Sequence, residues 1–175
     1  MKTMTQYHVA VAAEAFAAGL FAQAGCDVLV QYGANQPQYD LVITRGGLAV
    51  HVSVKGSQDG GWGLIQNYKR SRLYHEAADA WVASHRIPDI LYCLVQFQDV
   101  ALGQCPRVYL ATITDIASRH KESRNGLGET ILWENRCYKK GVAKGCTDMV
   151  PLEWIFSQAR LSKFLPVNSD QLRKV

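Results

Sequence analysis

The chain has 175 residues and a 48% apolar composition, which suits one globular domain spanning 1–175. No apolar run approaches the ~20 residues of a membrane span, and the N-terminus lacks the long apolar stretch of a secretory signal. Five widely spaced cysteines without a CxxC pair argue against a zinc knuckle or a disulfide framework, so we expect a reduced, cytoplasmic protein. The net charge of +4 permits a nucleic-acid partner without demanding one.

The N-terminal half of the chain predicts one helix followed by strands. Thr3 and Gln6 have the spacing of a capping box, and the alanine-rich segment after them predicts a helix over 6–24 that ends at Gly25. Apolar runs and alternating patterns then predict strands at 26–32, 39–44 and 48–55.

The remainder of the chain predicts further helices and strands in mixed order. Helices are predicted at 67–85 (at least from Ser71), at 114–123 with Thr114 as its cap, and at 151–165 with Pro151 at its start; strands are predicted at 89–97, 107–113 and within 130–135. This order predicts an α/β fold, a two-layer or three-layer sandwich with a central mixed sheet and flanking helices.

The segment 39–55 predicts a hairpin with two chemically different faces. Gly46-Gly47 suits a two-residue type I′ turn, because both turn positions need positive φ. Arg45 then faces Leu48, and Asp40 lies opposite Ser53. One face is entirely apolar, and a slip of one residue would destroy that separation. The apolar face comprises Tyr39, Leu41, Ile43, Val50, Val52 and Val54; the other carries Asp40, Val42, Thr44, His51, Ser53 and Lys55.

This register places an acid and an amine close together beside the glycine-rich segment 56–63. The Cβ atoms of Asp40 and Ser53 are expected ~5 Å apart, with Lys55 on the diagonal at ~7–8 Å. A simple cross-strand salt bridge, contributing under ~1 kcal/mol, would explain an Asp–Lys pair taken alone.

Glu14 is the second unusual acid. Tyr7 and His8 are the only other ionisable side chains between residues 7 and 24, and a helix apolar all round is usually buried. A carboxylate in such a helix needs a partner or a cation, and the polar face of the hairpin would supply one if the helix packs over it. The alternative is that Glu14 lies at a solvent-facing edge.

Glu14 followed by YDLVITRGGLAVHVSVKG resembles the PD-(D/E)XK nuclease superfamily, in particular its Holliday-junction-resolvase-like and intron-endonuclease branches. The resemblance covers residues 6–97 and implies a restriction-endonuclease-like core. Residues 98–175, which add a strand, helices and a basic C-terminal segment, resemble nothing we recognise.

The resemblance implies a role for each matching residue. Asp40 matches the metal-binding aspartate, and Glu14 matches the helix-borne acid that binds metal directly or through water. The backbone carbonyl of Val54 would be a further metal ligand. Lys55 matches the lysine that orients the attacking water, and the implied cofactor is Mg²⁺ or Mn²⁺. Ser53 departs from the pattern, because it stands at the catalytic position where Asp, Glu or Gln is expected, and a neutral hydroxyl is a poor Mg²⁺ ligand.

Three functions follow from these observations. The first is a metal-dependent endonuclease that hydrolyses phosphodiester bonds in DNA, with a homodimer implied by the resemblance. The second, favoured by Ser53, is a catalytically degenerate relative that binds nucleic acid or a protein partner without cleavage. The third is an α/β interaction module whose polar hairpin face is a salt-bridge patch, against which the agreement of Glu14, Asp40 and Lys55 argues.

Basic and aromatic residues outside the hairpin suggest contacts with DNA. Lys69, Arg70 and Arg72 follow the glycine-rich segment and are candidates to contact phosphates, although a solvated charge run is the common alternative. Gln66 opens the same segment, and the resemblance implies a nucleic-acid-binding glutamine near the metal at this position. Further along the chain, aromatic residues lie among basic clusters. Trp133 and Tyr138 would stack on bases or form part of the core, Trp62 would anchor its loop or contact a ligand, and His51 would act as a base or have no role.

Overall fold

A computed structural model describes residues 4–31 and 38–166 and confirms the predicted α/β architecture, a central five-stranded mixed sheet flanked by helices. None of the helices within these ranges is long and apolar enough to cross a lipid bilayer. The helices are α1 (Gln6–Gln23), α2 (Gln66–Lys69), α3 (Tyr74–Ala83), α4 (Ile113–Glu122) and α5 (Gln158–Leu161), with a 3-10 turn at Leu152–Trp154. The strands are β1 (Asp27–Val30), β2 (Leu41–Arg45), β3 (Leu48–Ser57), β4 (Gly61–Trp62), β5 (Leu91–Gln96), β6 (Arg107–Thr112), β7 (Leu132–Trp133), β8 (Asn135–Cys137) and β9 (Thr147–Met149).

The central sheet has the strand order β1-β2-β3-β5-β6. Strands β1, β2 and β3 pair antiparallel, β5 runs parallel to β3, and β6 is antiparallel to β5. A parallel pair needs a crossover connection, and β4, α2 and α3 form it. The crossover leaves β3 two residues after Lys55, which puts the glycine-rich segment next to that lysine.

The β2–β3 hairpin forms in the predicted register. Gly46 and Gly47 have φ values of 61° and 81°, and the paired residues run from Arg45–Leu48 to Leu41–Val52. The ladder ends at the Leu41–Val52 pair, so Asp40 lies immediately outside it. The backbone of Asp40 still pairs with its neighbours, since its amide donates to the Val52 carbonyl and its carbonyl accepts from the Gln31 amide.

The two faces of the sheet carry separate cores, which makes the fold three-layered. Strand β5 shows the division, because Leu91, Cys93 and Val95 belong to one core while Tyr92 and Leu94 belong to the other. The first core also contains α1 and the C-terminal segment around α5, and the second contains α3 and α4.

Helix α1 packs on the apolar face of the hairpin through a narrow stripe, and two expectations about it are wrong. The helix is not buried all round, since Tyr7 is 74% and Val11 49% exposed. It also covers the apolar face of the hairpin rather than the polar one, because that arrangement removes more apolar surface from water. The stripe consists of Val9, Ala13, Ala17 and Phe21, spaced four residues apart on one side of the helix.

Helix starts also differ from the sequence prediction. The predicted cap of α1, Thr3, lies outside the described residues, and Thr5 is the N-cap, accepting a hydrogen bond from the His8 amide at 3.2 Å. Helix α4 begins one residue earlier than predicted, because Thr112 caps it rather than Thr114. Thr112 Oγ1 accepts from the amide of Asp115 at 3.0 Å, and the Asp115 carboxylate accepts from the Thr112 amide.

The helix predicted over 67–85 is divided in two. Arg70 has φ 27°, outside the helical region, so α2 stops at Lys69. Helix α3 begins only at Tyr74, where the Glu76 carboxylate accepts a hydrogen bond from the Leu73 amide at 2.9 Å.

The prediction of one helix over 151–165 is wrong. The chain forms a 3-10 turn at Leu152–Trp154 and the short helix α5, with an extended segment between them. Ile155 forms a bridge with Tyr109, and the Phe156 amide donates to the Val108 carbonyl at 2.8 Å. The segment therefore pairs with the edge of β6, which satisfies backbone groups that a helix would otherwise satisfy internally. The strand predicted within 130–135 is likewise divided between β7, which pairs with β4, and the start of β8.

Candidate active site

A cleft of about 620 Å³ opens where α1, the end of β3, the glycine-rich segment and β7 meet. Several residues predicted from the sequence form its wall, namely Glu14, Asp40, Val54, Lys55 and Gln66. Asp59, Trp62 and Trp133 also line it. The cleft therefore gathers side chains from three parts of the chain that are distant in sequence, namely α1, the segment 40–66 and β7.

The Asp40 carboxylate takes the place of a strand partner for β3. The Asp40 amide donates to the Val52 carbonyl at 2.8 Å, and Asp40 Oδ2 accepts from the Val54 amide at 2.6 Å. The side chain is 15% exposed, and Oδ1 has no hydrogen bond within the described part of the chain. Asp40 is thus held rigidly through Oδ2 while Oδ1 stays available to a ligand.

Val54 presents backbone groups to the same edge as Asp40. In a β-strand the amide and carbonyl of one residue point to the same side. Because the Val54 amide points at Asp40, the Val54 carbonyl also points toward that edge, and Val54 lines the cleft. Its side chain is buried in the core beneath α1.

Lys55 lies beside Asp40 and is fixed from the other side by Trp62. Lys55 Nζ is 3.8 Å from Asp40 Oδ2, and the lysine side chain is 42% exposed. The Trp62 indole N–H donates to the Lys55 carbonyl at 2.9 Å, and the ring is buried. Trp62 therefore anchors the glycine-rich segment to β3, the first of the two roles that the sequence left open, and it also lines the cleft.

Glu14 reaches the cleft from α1, the helix layer on the other face of the sheet from Lys55. Burial raises the pKa of its carboxyl above 4.5, the negative charge of Asp40 raises it further, and the positive charge of Lys55 lowers it. Both effects require the three side chains to lie within electrostatic range of one another. Glu14 is half-buried rather than fully exposed, which is the arrangement of a carboxylate that faces a cleft.

Gly56 explains how α1 comes so close to β3. A Cβ atom built at Gly56 would lie 2.8 Å from Val9 Cγ1 and 2.9 Å from Ala13 Cβ, distances that real side chains do not adopt. The helix therefore rests on bare backbone at this point. Since Glu14 follows Ala13 in the helix, the contact fixes the depth at which Glu14 enters the cleft.

Ser53 is nearly fully buried, at 2% exposure, and its hydroxyl donates to Asp40 Oδ2 at 3.4 Å. Its neighbour in the parallel pairing is Tyr92, whose pKa is raised chiefly by burial and also by the charges of Tyr68 and Asp40. Ser53 is thus a weak second donor that helps to orient the Asp40 carboxylate.

The donor set suits a divalent cation that prefers oxygen. Glu14 and Asp40 supply two carboxylates whose mutual repulsion raises the Glu14 pKa, and a cation between them would relieve that repulsion. The Val54 carbonyl adds a third oxygen. Among residues 4–31 and 38–166 there is no group of three or more His, Cys, Asp or Glu side chains arranged to hold a metal. The remaining positions would fall to water, which Mg²⁺ commonly retains.

Of the four residues predicted to contact phosphates or lie near the metal, Gln66 lies in the cleft wall while Lys69, Arg70 and Arg72 do not. Lys69 Nζ donates to the Arg72 carbonyl at 2.5 Å and lies 4.8 Å from the centre of the Tyr74 ring. Arg72 donates to the Tyr68 carbonyl at 3.2 Å, and Arg70 is exposed. These three cations therefore lie beyond the cleft, near the start of α3.

The sequence gives uneven signals for the other residues at the site. Asp59 accepts from the Ser57 hydroxyl at 2.9 Å, and no pattern in the sequence distinguishes it from an ordinary loop residue. The sequence shows Gly56 only as the glycine that follows VSVK, and nothing in that pattern predicts its close contact with α1. His51 contacts Tyr39 with the two rings tilted at 54° and their centres 4.5 Å apart, and it is not part of the cleft wall.

Comparison with known proteins found no matching family model, no matching curated protein and no matching solved structure.

Proposed function

We propose that the protein is a Mg²⁺- or Mn²⁺-dependent endonuclease of the PD-(D/E)XK type that hydrolyses phosphodiester bonds in DNA in the cytoplasm. The observation that carries the proposal is the convergence of Glu14, Asp40 and Lys55 in the wall of one cleft. A structural salt bridge between Asp40 and Lys55 would not need a carboxylate delivered from the opposite layer by α1.

The order of elements along the chain supports the same proposal. A helix bearing an acid, a strand, a hairpin bearing Asp and Lys, a helix and a further strand follow one another in residues 6–96. That is the order that the resemblance implies for the nuclease core. The fold alone does not imply catalysis, so the proposal depends on the residues of the cleft.

Each residue of the cleft has a defined chemical task in this proposal. Asp40 and Glu14 would hold the cation, with the Val54 carbonyl as a further ligand. A bound Mg²⁺ supplies polarisation of a phosphate oxygen and acidification of a bound water. Lys55 Nζ places a positive charge beside the phosphorus, where negative charge increases during attack. The Val54 amide and Ser53 hydroxyl keep Asp40 oriented.

A plasmid-nicking assay in Mg²⁺ and in Mn²⁺ tests the proposal, with branched DNA as a second substrate. We expect wild-type protein to convert supercoiled plasmid to the nicked form, and we expect Asp40→Ala and Lys55→Ala to reduce the rate by at least about a hundredfold. Lys163→Ala, an exposed lysine in the turn after α5, is the matched control and should retain the wild-type rate. Equal rates in all four proteins would identify a contaminating nuclease.

Ser53 favours a second function, in which the protein binds DNA without cleaving it. The position carries a buried neutral hydroxyl where the resemblance implies an acidic residue or glutamine. A protein that keeps the fold and binds DNA without cutting it would satisfy the same geometry. DNA binding by all the variants in the absence of any nicking would establish this function and exclude hydrolysis.

A homodimer belongs to the same proposal, because resolvase-like and restriction-like enzymes, which the chain resembles, often dimerise to cut two strands. Sedimentation velocity of the purified chain tests it directly. A monomer at all concentrations, with nicking of one strand only, would remove the dimer from the proposal without affecting the chemistry of the cleft.

A further inference from the structure

Six side chains that alternate between cationic and aromatic form a continuous strip across α2, α3, the turn after α4, β7 and the β8–β9 hairpin. The centres of successive members lie between 4.3 and 6.0 Å apart, measured from each cation to the ring beside it. Their order is Lys69, Tyr74, Arg124, Tyr138, Arg136 and Trp133, and we call this set the cation–aromatic strip.

One end of the strip lies in the cleft wall, and the other end follows a wall residue closely along the chain. Trp133 is part of the cleft wall, and a Cβ atom built at Gly61 would lie 2.8 Å from its ring. Lys69 ends the short helix α2, which begins with another residue of the wall, Gln66. A strand of nucleic acid leaving the cleft would therefore meet the strip at once.

The cations of the strip are available to phosphates. Within the described residues, Lys69, Arg124 and Arg136 form no salt bridge. The acid that underlies the strip, Asp148, is 4% exposed and already binds Arg119 Nη2 at 3.2 Å, along with the Tyr138 hydroxyl and the Arg124 amide. Three further exposed lysines without an ion pair extend the positive surface along the β8–β9 loop, namely Lys139, Lys140 and Lys144.

We propose that the cation–aromatic strip binds the backbone and stacks on the unpaired bases of single-stranded DNA adjacent to the cleft, so that the substrate of the proposed nuclease carries a single-stranded segment. The inference rests on the proposed function for its link to cleavage. It rests on the strip alone for binding.

The composition of the strip favours single-stranded over duplex DNA. A duplex presents phosphates and sugars to a flat surface, for which cations alone would suffice. Half-buried rings held between cations add stacking surface, which only an unpaired base can use. A guanidinium plane is also a surface on which an unpaired base can stack, and that of Arg136 lies 4.3 Å from the centre of the Trp133 ring.

Fluorescence anisotropy in EDTA tests binding without cleavage. The probes are a labelled oligothymidylate of about 16 nucleotides, an abasic strand with the same number of phosphates, and a duplex of the same length. We expect the oligothymidylate to bind at least about fivefold more tightly than the abasic strand, because stacking contributes through each base. Equal affinity for the two strands, or tighter binding of the duplex, would overturn the inference.

Charge-matched variants locate the binding surface on the strip. Arg136→Gln and Lys69→Gln should each weaken oligothymidylate binding and reduce the slope of log K against log salt by ~0.7 for each lost phosphate contact. Lys163→Gln removes the same charge on the opposite side of the sheet and should leave the slope unchanged. If all three variants behave alike, the positive charge acts only globally and the strip is not the site.

The two proposals fail separately. Nicking that is lost in Asp40→Ala, with oligothymidylate binding intact, supports both. Binding through the strip without nicking by any protein leaves the inference standing and removes the hydrolase. Nicking by wild type with no preference for single strands and no effect of Arg136→Gln or Lys69→Gln leaves the hydrolase and removes the strip.

Discussion

Gly56 and Val9 approach one another so closely that α1 rests directly on the backbone of β3. A methyl group at Gly56 would lie 2.8 Å from Val9 Cγ1 and 2.9 Å from the Val9 carbonyl oxygen. Glu14 lies about one and a half turns further along the same helix, on the side that faces Asp40 and Lys55. The contact therefore couples the packing of α1 to the geometry of the cleft.

We expect Gly56→Ala to disturb both stability and site. The added methyl group overlaps helix backbone, which cannot move like a side chain, and overpacking of this kind costs about 1–3 kcal/mol. Displacement of α1 should also weaken Mg²⁺ binding, measured by calorimetry beside urea unfolding. Gly19→Ala is the control, since nothing lies within 4 Å of its Cβ position and it should stabilise α1 by roughly 0.5–1 kcal/mol. An unaltered stability and metal affinity in Gly56→Ala would show that the close contact does not position Glu14.

The pKa of Glu14 should respond in opposite directions to its two neighbours. Burial and Asp40 raise that pKa while Lys55 lowers it, so Asp40→Asn should lower it and Lys55→Ala should raise it. Carbon-detected NMR titration of the metal-free protein measures both changes. If neither substitution moves the Glu14 pKa, the three groups are too far apart to share a ligand.

The same pKa has a consequence for stability. A carboxyl whose pKa is raised in the folded state favours folding while protonated, and this contribution is lost as pH rises through the folded-state pKa. Metal should reverse the trend, because it binds the ionised form. We therefore expect Mg²⁺ to increase the free energy of unfolding more at neutral pH than in mild acid, by an amount that Asp40→Asn reduces.

His120 should make the protein sensitive to acid independently of the cleft. Burial lowers its pKa from 6.5 to about 4, and Nδ1 lies 2.9 Å from the Glu129 carbonyl while Nε2 lacks a partner among the described residues. Between these two pKa values the unfolded chain binds the extra proton, so stability falls as pH decreases from about 6.5 to about 4, by on the order of 3 kcal/mol.

Urea unfolding at several pH values measures this loss. His120→Gln should flatten the dependence in that window even if its overall stability is lower, whereas His8→Gln, at an exposed position, should keep the wild-type slope. A wild-type slope in His120→Gln would assign the acid sensitivity to other groups.

Ser53→Asp should lower the stability of the metal-free protein and increase its affinity for Mg²⁺. The new carboxylate would be buried beside Asp40, so the metal-free protein should lose roughly 3 kcal/mol. Mg²⁺ should then raise the melting temperature more than it does in wild type, because ligand binding stabilises only the folded state. Ser53→Asn has a similar shape without the charge and provides the control. A response to Mg²⁺ no larger in Ser53→Asp than in Ser53→Asn would argue against a cation at this position.

The hairpin was predictable because two local rules agree. Gly46-Gly47 specifies a turn, and the alternation of valines with polar residues specifies which side faces the core. Together they set the register and hence the proximity of Asp40 and Lys55. The fold class followed from the order of helices and strands in the same way.

The packing partner of α1 was not predictable from its own composition. An alanine-rich helix with exposed Tyr7 and Val11 has no clear amphipathic pattern, so the sequence did not show which face of the hairpin it covers. The prediction for the C-terminal segment was wrong for a related reason. Its extended residues Ile155 and Phe156 pair with β6, which is far away in sequence. The cation–aromatic strip also depends on distant contacts, because Arg124 meets Tyr74 and Tyr138 only after folding.

The most direct test of the account is the position of Mn²⁺ in crystals of the protein, located by its anomalous scattering. We predict one strong peak in the cleft that contacts carboxylate oxygens of Glu14 and Asp40 and that disappears in Asp40→Ala. Crystals in saturating Mn²⁺ with no peak between these two acids, or with the metal bound elsewhere while the cleft holds only water, would contradict the account.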